Sequence, residues 1–101
     1  MKKFIISIDQ GTTSTRIVLF NLRFQVIDIA QEEIKQYFPN EGWVEHNPIE
    51  IINGVKKLLK KIIIKNKIKN NQVLSIGITN QRETCLLWNK KTGKPIYNAI
   101  V

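Results

Sequence analysis

The chain has little of what would staple, anchor or divide a protein. Its one cysteine, Cys85, stands alone, which rules out an internal disulfide framework and fits a reducing compartment. No stretch approaches the roughly 20 apolar residues of a membrane span. The start, Met1-Lys2-Lys3-Phe4-Ile5-Ile6, imitates a signal peptide, but Ser7 breaks the apolar stretch and Asp9 ends it, short of a usual h-region. These absences predict a soluble, cytoplasmic protein. No repeat, low-complexity linker or composition break divides the 101 residues, so the chain is at most one small domain.

Acids are also scarce, 8 against 16 basic residues, for a formal charge of +8. Lys56, Lys57, Lys60, Lys61, Lys65, Lys67 and Lys69 supply most of the excess with no acid between them. A nucleic-acid surface would interleave aromatics and favour arginine. Here no aromatic separates these lysines, and Arg16, Arg23 and Arg82 are the only arginines. The lysines are expected to form a solvated helix face, with no nucleic-acid partner.

What is present is concentrated near the start. An apolar run, Phe4 to Ile8, meets Asp9-Gln10-Gly11-Thr12-Thr13-Ser14-Thr15-Arg16, and a second apolar run, Ile17 to Phe20, follows at once. A strand, a turn dense in hydroxyls and a second strand make a hairpin whose tip can hold phosphate. Gly11 is expected to take the positive φ of such a tip. Backbone N–H groups and three or four hydroxyls then converge on one anion-sized space. Asp9, at the strand end, is placed to hold a hydrated Mg²⁺, which takes oxygen ligands and keeps most of its waters. The hairpin therefore predicts phosphoryl transfer from a nucleotide.

Strand one is expected at Phe4–Asp9 and strand two at Thr15–Phe20, with a turn at Asn21-Leu22-Arg23 into a third strand, about Phe24–Ile34. Pro39-Asn40-Glu41-Gly42 reads as a loop. Asn47-Pro48-Ile49-Glu50 is a helix start, with Asn as N-cap, Pro first and Glu as capping partner. Ile52, Val55, Leu59 and Ile62 then fall on one face, and the helix should end near Asn66. Val73–Thr79 is nearly all apolar, suited to a buried parallel position. Cys85–Trp88 and Ile96–Val101 flank Lys90-Lys91-Thr92-Gly93 as a second hairpin. Three antiparallel strands, a helix, and a strand able to lie parallel to the first predict an α/β chain that opens a ribonuclease-H-like mixed sheet, incomplete within these residues. In that architecture the phosphate hairpin joins strands one and two.

Four segments carry a resemblance: Asp9–Arg16 (DQGTTSTR), Gly42–Pro48 (GWVEHNP), Gly77–Thr84 (GITNQRET) and Gly93–Val101 (GKPIYNAIV). In order and over the whole chain, it resembles the N-terminal segment of the glycerol kinases. These belong to the FGGY sugar-kinase family within the actin/hexokinase-like ATPase superfamily. The first segment alone would signal only the wider family, while the Gly42–His46 and Asn80–Glu83 blocks narrow it to glycerol. The resemblance implies ATP and Mg²⁺ as cofactors and glycerol as substrate. By the same resemblance Thr12, Thr13 and Ser14, on the Gly11 turn, contact the ATP phosphates, with Arg16 approaching them from the second strand. Arg82 and Glu83 would hydrogen-bond the glycerol hydroxyls, a fork of donors beside a pair of acceptors. Family members are roughly five times longer, two-domain and often homo-oligomeric. The chain would be the first part of their N-terminal domain. The aspartate base, the adenosine-binding elements, the second domain and a tryptophan against glycerol would all lie beyond Val101, so these residues alone are expected to be inactive.

The remaining conspicuous residues read as structural. His46, just before the helix, is expected to be a neutral histidine of the capping region, Trp43, Trp88 and Tyr97 packing residues, and Cys85 a buried strand residue.

Overall fold

The structure, a computed structural model, describes residues 1–101. Its elements in order are β1 (Phe4–Gln10), β2 (Ser14–Asn21), β3 (Val26–Glu33), β4 (Glu45–His46), α1 (Pro48–Lys65), a 3₁₀ turn (Asn70–Gln72), β5 (Val73–Thr79) and β6 (Ala99–Ile100). Four strands form one sheet in the order β3-β2-β1-β5. β1 pairs antiparallel with β2, β2 antiparallel with β3, and β5 runs parallel to β1 from Phe4↔Val73 to Asp9↔Thr79. This is the expected mixed α/β sheet, with the hairpin between its first two strands.

Period-two alternation decides which face each side chain takes. Ile6, Ile8, Ile17, Leu19 and Ala30 point to one face and pack with Leu58 and Ile62 of α1 and with Ile68. The helix starts as its sequence dictates: Asn47 caps it, its side chain accepting from the Ile49 N–H at 2.9 Å, with Pro48 next. Glu50 departs from expectation, because its carboxylate takes the hydroxyl of Tyr37 and does not return to the cap. The helix ends at Asn66 through a paired turn. Lys67, at φ 52, donates to the Ile64 carbonyl, Ile68 donates to that of Ile63 at 3.0 Å, and Ile68 enters the core. That pattern satisfies the last carbonyls and seals the end with an apolar contact. The buried stripe is centred on Leu58 and Ile62, with Val55 and Leu59 beside it, and Ile52 lies outside it, 48% exposed. The lysines all sit exposed, two of them reaching acids of β3: Lys57 to Glu32 at 3.1 Å and Lys65 to Asp28 at 3.4 Å.

Four other expectations are corrected. The third strand begins at Val26, because Phe24, at φ 59, belongs to the turn. β5 is parallel but not buried: it is an edge strand, α1 lies over β2 and β3, and Leu74 and Ile78 remain 62% and 73% exposed. The second hairpin is reduced to bridges, Cys85↔Ile100 and Trp88↔Pro95, since β6 is shared with β4 as a two-stranded ribbon. Cys85, Trp43 and Trp88 are exposed, not packed.

Only 13 residues are buried. The radius of gyration is 15.6 Å, against about 13 Å for a compact domain of about 100 residues. One sheet face and the edge of β5 lack cover, which favours edge pairing. The 101 residues taken alone are therefore expected to elute from a sizing column as oligomer or aggregate. A monodisperse monomer with cooperative unfolding would show the open face to be tolerated.

Candidate functional site

The β1–β2 register ends at Gln10↔Thr15 and leaves Gly11, Thr12 and Thr13 as the tip, with Ser14 opening β2. The Gly11 N–H donates to the Ser14 carbonyl at 3.0 Å. Gly11 does not take the expected positive φ, which among the glycines belongs to Gly42 and Gly93. What it supplies is close approach: a Cβ here would stand 3.3 Å from the Ser14 carbonyl oxygen.

The tip carbonyls are drawn back into the protein. Thr13 C=O accepts from the Ile34 N–H at 2.8 Å, and Thr12 C=O accepts from the Gln36 side-chain amide at 3.0 Å. Thr12 and Thr13 are exposed, and their N–H groups donate to no other backbone group. Thr15 turns inward, its hydroxyl donating to Gln10 at 2.9 Å, so three hydroxyls remain at the tip. The Ser14 hydroxyl accepts from Gln31 at 2.9 Å and keeps its own proton to donate. Two tip carbonyls are engaged while the Thr12 and Thr13 N–H groups are not, a polarity that suits an anion.

Asp9 and Arg16 are cross-strand partners on the sheet face opposite α1, both exposed. They form no ion pair with each other; the ion pairs of the chain are Lys57–Glu32 and Lys65–Asp28. With Ser7, Gly77 and Thr79 they line an open groove of about 430 Å³ over the β2-β1-β5 strip. No three acidic, His or Cys side chains gather to cage a metal. A lone carboxylate among hydroxyls suits a cation that keeps its own waters and takes phosphate oxygens, as Mg²⁺ does.

Arg82 and Glu83 follow β5 in an exposed turn, and Glu83 sits at φ 57, a conformation a non-glycine residue rarely holds without support. The support comes from its neighbours. The Thr84 hydroxyl donates to Gln81 Oε1 at 2.7 Å, and Gln81 Nε2 lies 3.2 Å from His46 Nδ1. His46 is fully buried, and its Nε2 is 2.7 Å from Gln36 Oε1. Beside it Glu45, also buried, accepts from the Tyr97 hydroxyl at 2.7 Å and from Asn98 Nδ2 at 3.2 Å, so Tyr97 is a hydrogen-bonding residue as well as a half-exposed ring. Sequence reasoning missed Gln36, Gln81 as a holder, and the groove residues Ser7 and Thr79. The sequence signal nearest to them was the lone histidine of the Gly42–Pro48 segment, which bears on the two glutamines alone.

Burial holds the His46 ring below its ordinary pKa. The neutral form is the expected one. As pH falls through the ordinary value of about 6.5, the unfolded chain binds the proton first, so this contribution to stability is present above that pH and lost below it. His46 is the only histidine, so one ring titrates. Its NMR midpoint is expected below about 6.5; a midpoint at or above that value would show a solvated ring.

The family model for the N-terminal domain of the FGGY carbohydrate kinases matches residues 4–101. The chain belongs to the FGGY family of carbohydrate kinases. It is 54% identical over all 101 residues to the glycerol kinase of Bacillus licheniformis, of which it spans 20%. Among solved structures, Plasmodium falciparum glycerol kinase with ADP matches 99% of this chain at 38% identity and a TM-score of 0.88, the match covering 20% of that protein. Gluconate kinase from Lactobacillus acidophilus matches the whole chain at a TM-score of 0.87 but 21% identity, over 20% of its length, a likeness of fold. The FGGY fold thus exposes Thr12 and Thr13 at the hairpin tip, Asp9 and Arg16 on the open sheet face, and Arg82 and Glu83 in the turn after β5. This FGGY chain has no helix long and apolar enough to cross a membrane.

Proposed function

We propose that this chain is the first part of the N-terminal domain of a cytoplasmic glycerol kinase, which phosphorylates glycerol to sn-glycerol 3-phosphate with ATP. The observation that carries the reading is the hairpin tip, whose carbonyls are tied inward at Thr12 and Thr13 while its donors stay free, beside an unpaired Asp9 and Arg16. Identity to the Bacillus licheniformis glycerol kinase favours glycerol over the substrates of the gluconate and xylulose kinases, whose likeness here is one of fold.

In this reading Thr12, Thr13 and Ser14 donate to the ATP phosphates, with Gly11 keeping the tip close. Arg16 brings positive charge to the same oxygens from β2. Asp9 would hold, through water, an Mg²⁺ ion that would supply positive charge beside the phosphates. Arg82 donates to the glycerol hydroxyls and Glu83 accepts from them, which orients the diol and penalises analogues lacking a hydroxyl. The attacking hydroxyl needs a base. Besides Asp9 the chain's only aspartate is Asp28, which is committed to Asn66 at 2.9 Å and to Lys65. The Asn66 hydrogen bond leads in holding its carboxyl below the ordinary range, with Lys65 adding to it against burial. By the family resemblance the base would be an aspartate supplied from outside these residues, worth about 10²–10⁴-fold.

The test is a chimera in which this chain replaces the matching fifth of the Bacillus licheniformis enzyme. Glycerol-dependent ADP release is expected from the chimera and none from the 101 residues alone. A chimera inert with glycerol but active with gluconate or xylulose would reassign the substrate. One that folds and binds no nucleotide would favour a non-catalytic remnant.

A further inference from the structure

His46 is a buried titratable residue that the reading above does not use, and its hydrogen bonds reach both proposed ligand loops. Gln36 fixes the direction of the chain of bonds. Its Nε2 donates to two carbonyls, Thr12 at 3.0 Å and Ile34 at 3.1 Å, so its Oε1 faces His46 Nε2 as an acceptor and that nitrogen carries the proton. A neutral imidazole has one donor and one acceptor. Nδ1 therefore accepts from Gln81 Nε2, and Gln81 Oε1 accepts from the Thr84 hydroxyl. No buried side-chain polar atom is left without a partner.

We propose that His46 is a positioning residue that joins the phosphate hairpin to the substrate turn, through Gln36 to the Thr12 carbonyl and through Gln81 to Thr84. The inference rests on the kinase reading for what the two loops bind, and on the hydrogen bonds alone for their connection.

The consequence at the hairpin follows from peptide geometry. Every peptide here is trans, so pinning the Thr12 carbonyl toward Gln36 turns the Thr13 N–H to the opposite side. That donor is aimed by the Gln36 amide, one hydrogen bond removed from the histidine. At the other end Gln81 and Thr84 bracket Arg82 and Glu83, and they hold the turn in which Glu83 keeps its left-handed backbone. Segments far apart in sequence, Thr12 and Thr84, thus share one rigid intermediary. A residue serving packing alone would be apolar here, since burying two ring nitrogens is costly unless each is matched.

Two conservative variants separate the halves of the relay. Counted in bonds from Cβ, asparagine reaches as far as Nδ1 and glutamine as far as Nε2. His46→Asn keeps the Gln81 contact and releases Gln36, while His46→Gln does the reverse. Three amides report on the loops by hydrogen–deuterium exchange of the chimera. Gly11 and Ile34 close the hairpin tip, and Cys85, bonded to the Ile100 carbonyl, closes the turn. His46→Asn is expected to speed exchange at Gly11 and Ile34 about tenfold, the weight of one hydrogen bond, and to spare Cys85. His46→Gln is expected to speed Cys85 and spare the other two, and His46→Phe to speed all three. If both polar variants loosen the same amides, or neither loosens any, the relay is overturned.

In the chimera the same variants should split the kinetics, His46→Asn raising KM for ATP and His46→Gln raising KM for glycerol. An active chimera whose two KM values move together, or not at all, also overturns the positioning role. A chimera that never phosphorylates glycerol, alongside the split exchange pattern, sinks the kinase reading and upholds the relay.

Discussion

Replacing Gly11 by valine in the chimera is expected to abolish ATP turnover while leaving the sheet folded. The turn closes on itself: Gly11 N–H donates to the Ser14 carbonyl, and a Cβ would stand 3.3 Å from that oxygen. Valine adds two methyl groups at a place already tight for one carbon, so the tip must open. Thr12 and Thr13 then lose their aim, and a misplacement of about 1 Å can cost about 100-fold in rate. The β1–β2 ladder begins at Gln10↔Thr15 and does not include the tip, so circular dichroism and Tm should stay close to wild type. Ordinary ATP kinetics in this variant would remove the hairpin from the mechanism.

Arg82→Ala should weaken glycerol far more than ATP. Arg82 and Glu83 are exposed and make no ion pair with each other, so the substitution breaks no internal contact of the turn. Its loss would fall on the ligand: removing donors that pair with neutral hydroxyls costs about 1–3 kcal/mol where a charged group is involved, or about 5–150-fold in KM for glycerol. Arg82→Lys should recover only part of this, because an ammonium does not reproduce the planar fork. Equal losses for ATP and glycerol would mark Arg82 as structural.

Local signals were read well. The Asn47-Pro48 start of α1, its end at Asn66 and the turn between β1 and β2 are all written in adjacent residues, where caps, proline and alternation act over a few positions. The order of the sheet followed from two short connections and one helical crossover. What failed was non-local or depended on a missing neighbour. The apolar sequence of β5 is suited to burial, yet burial needs a covering layer, and α1 lies elsewhere. The β4–β6 ribbon is two residues wide, too short for any period to show. Gly11 has its place for proximity and not for φ, a distinction that composition does not encode. The glutamines at 36 and 81 are ordinary residues until the fold sets His46 between them.

The placement of the core has a kinetic consequence. All eight residues of the buried cluster, from Ile6 to Ile68, precede β5. That cluster can therefore form before β5 pairs, since contacts within the β1–β2–β3–α1 stretch close shorter loops than the pairing of Phe4 with Val73. The parallel strand joins a nucleus already formed. The Gly11–Ser14 hairpin would then be ordered early, and the turn that carries Arg82 and Glu83 last.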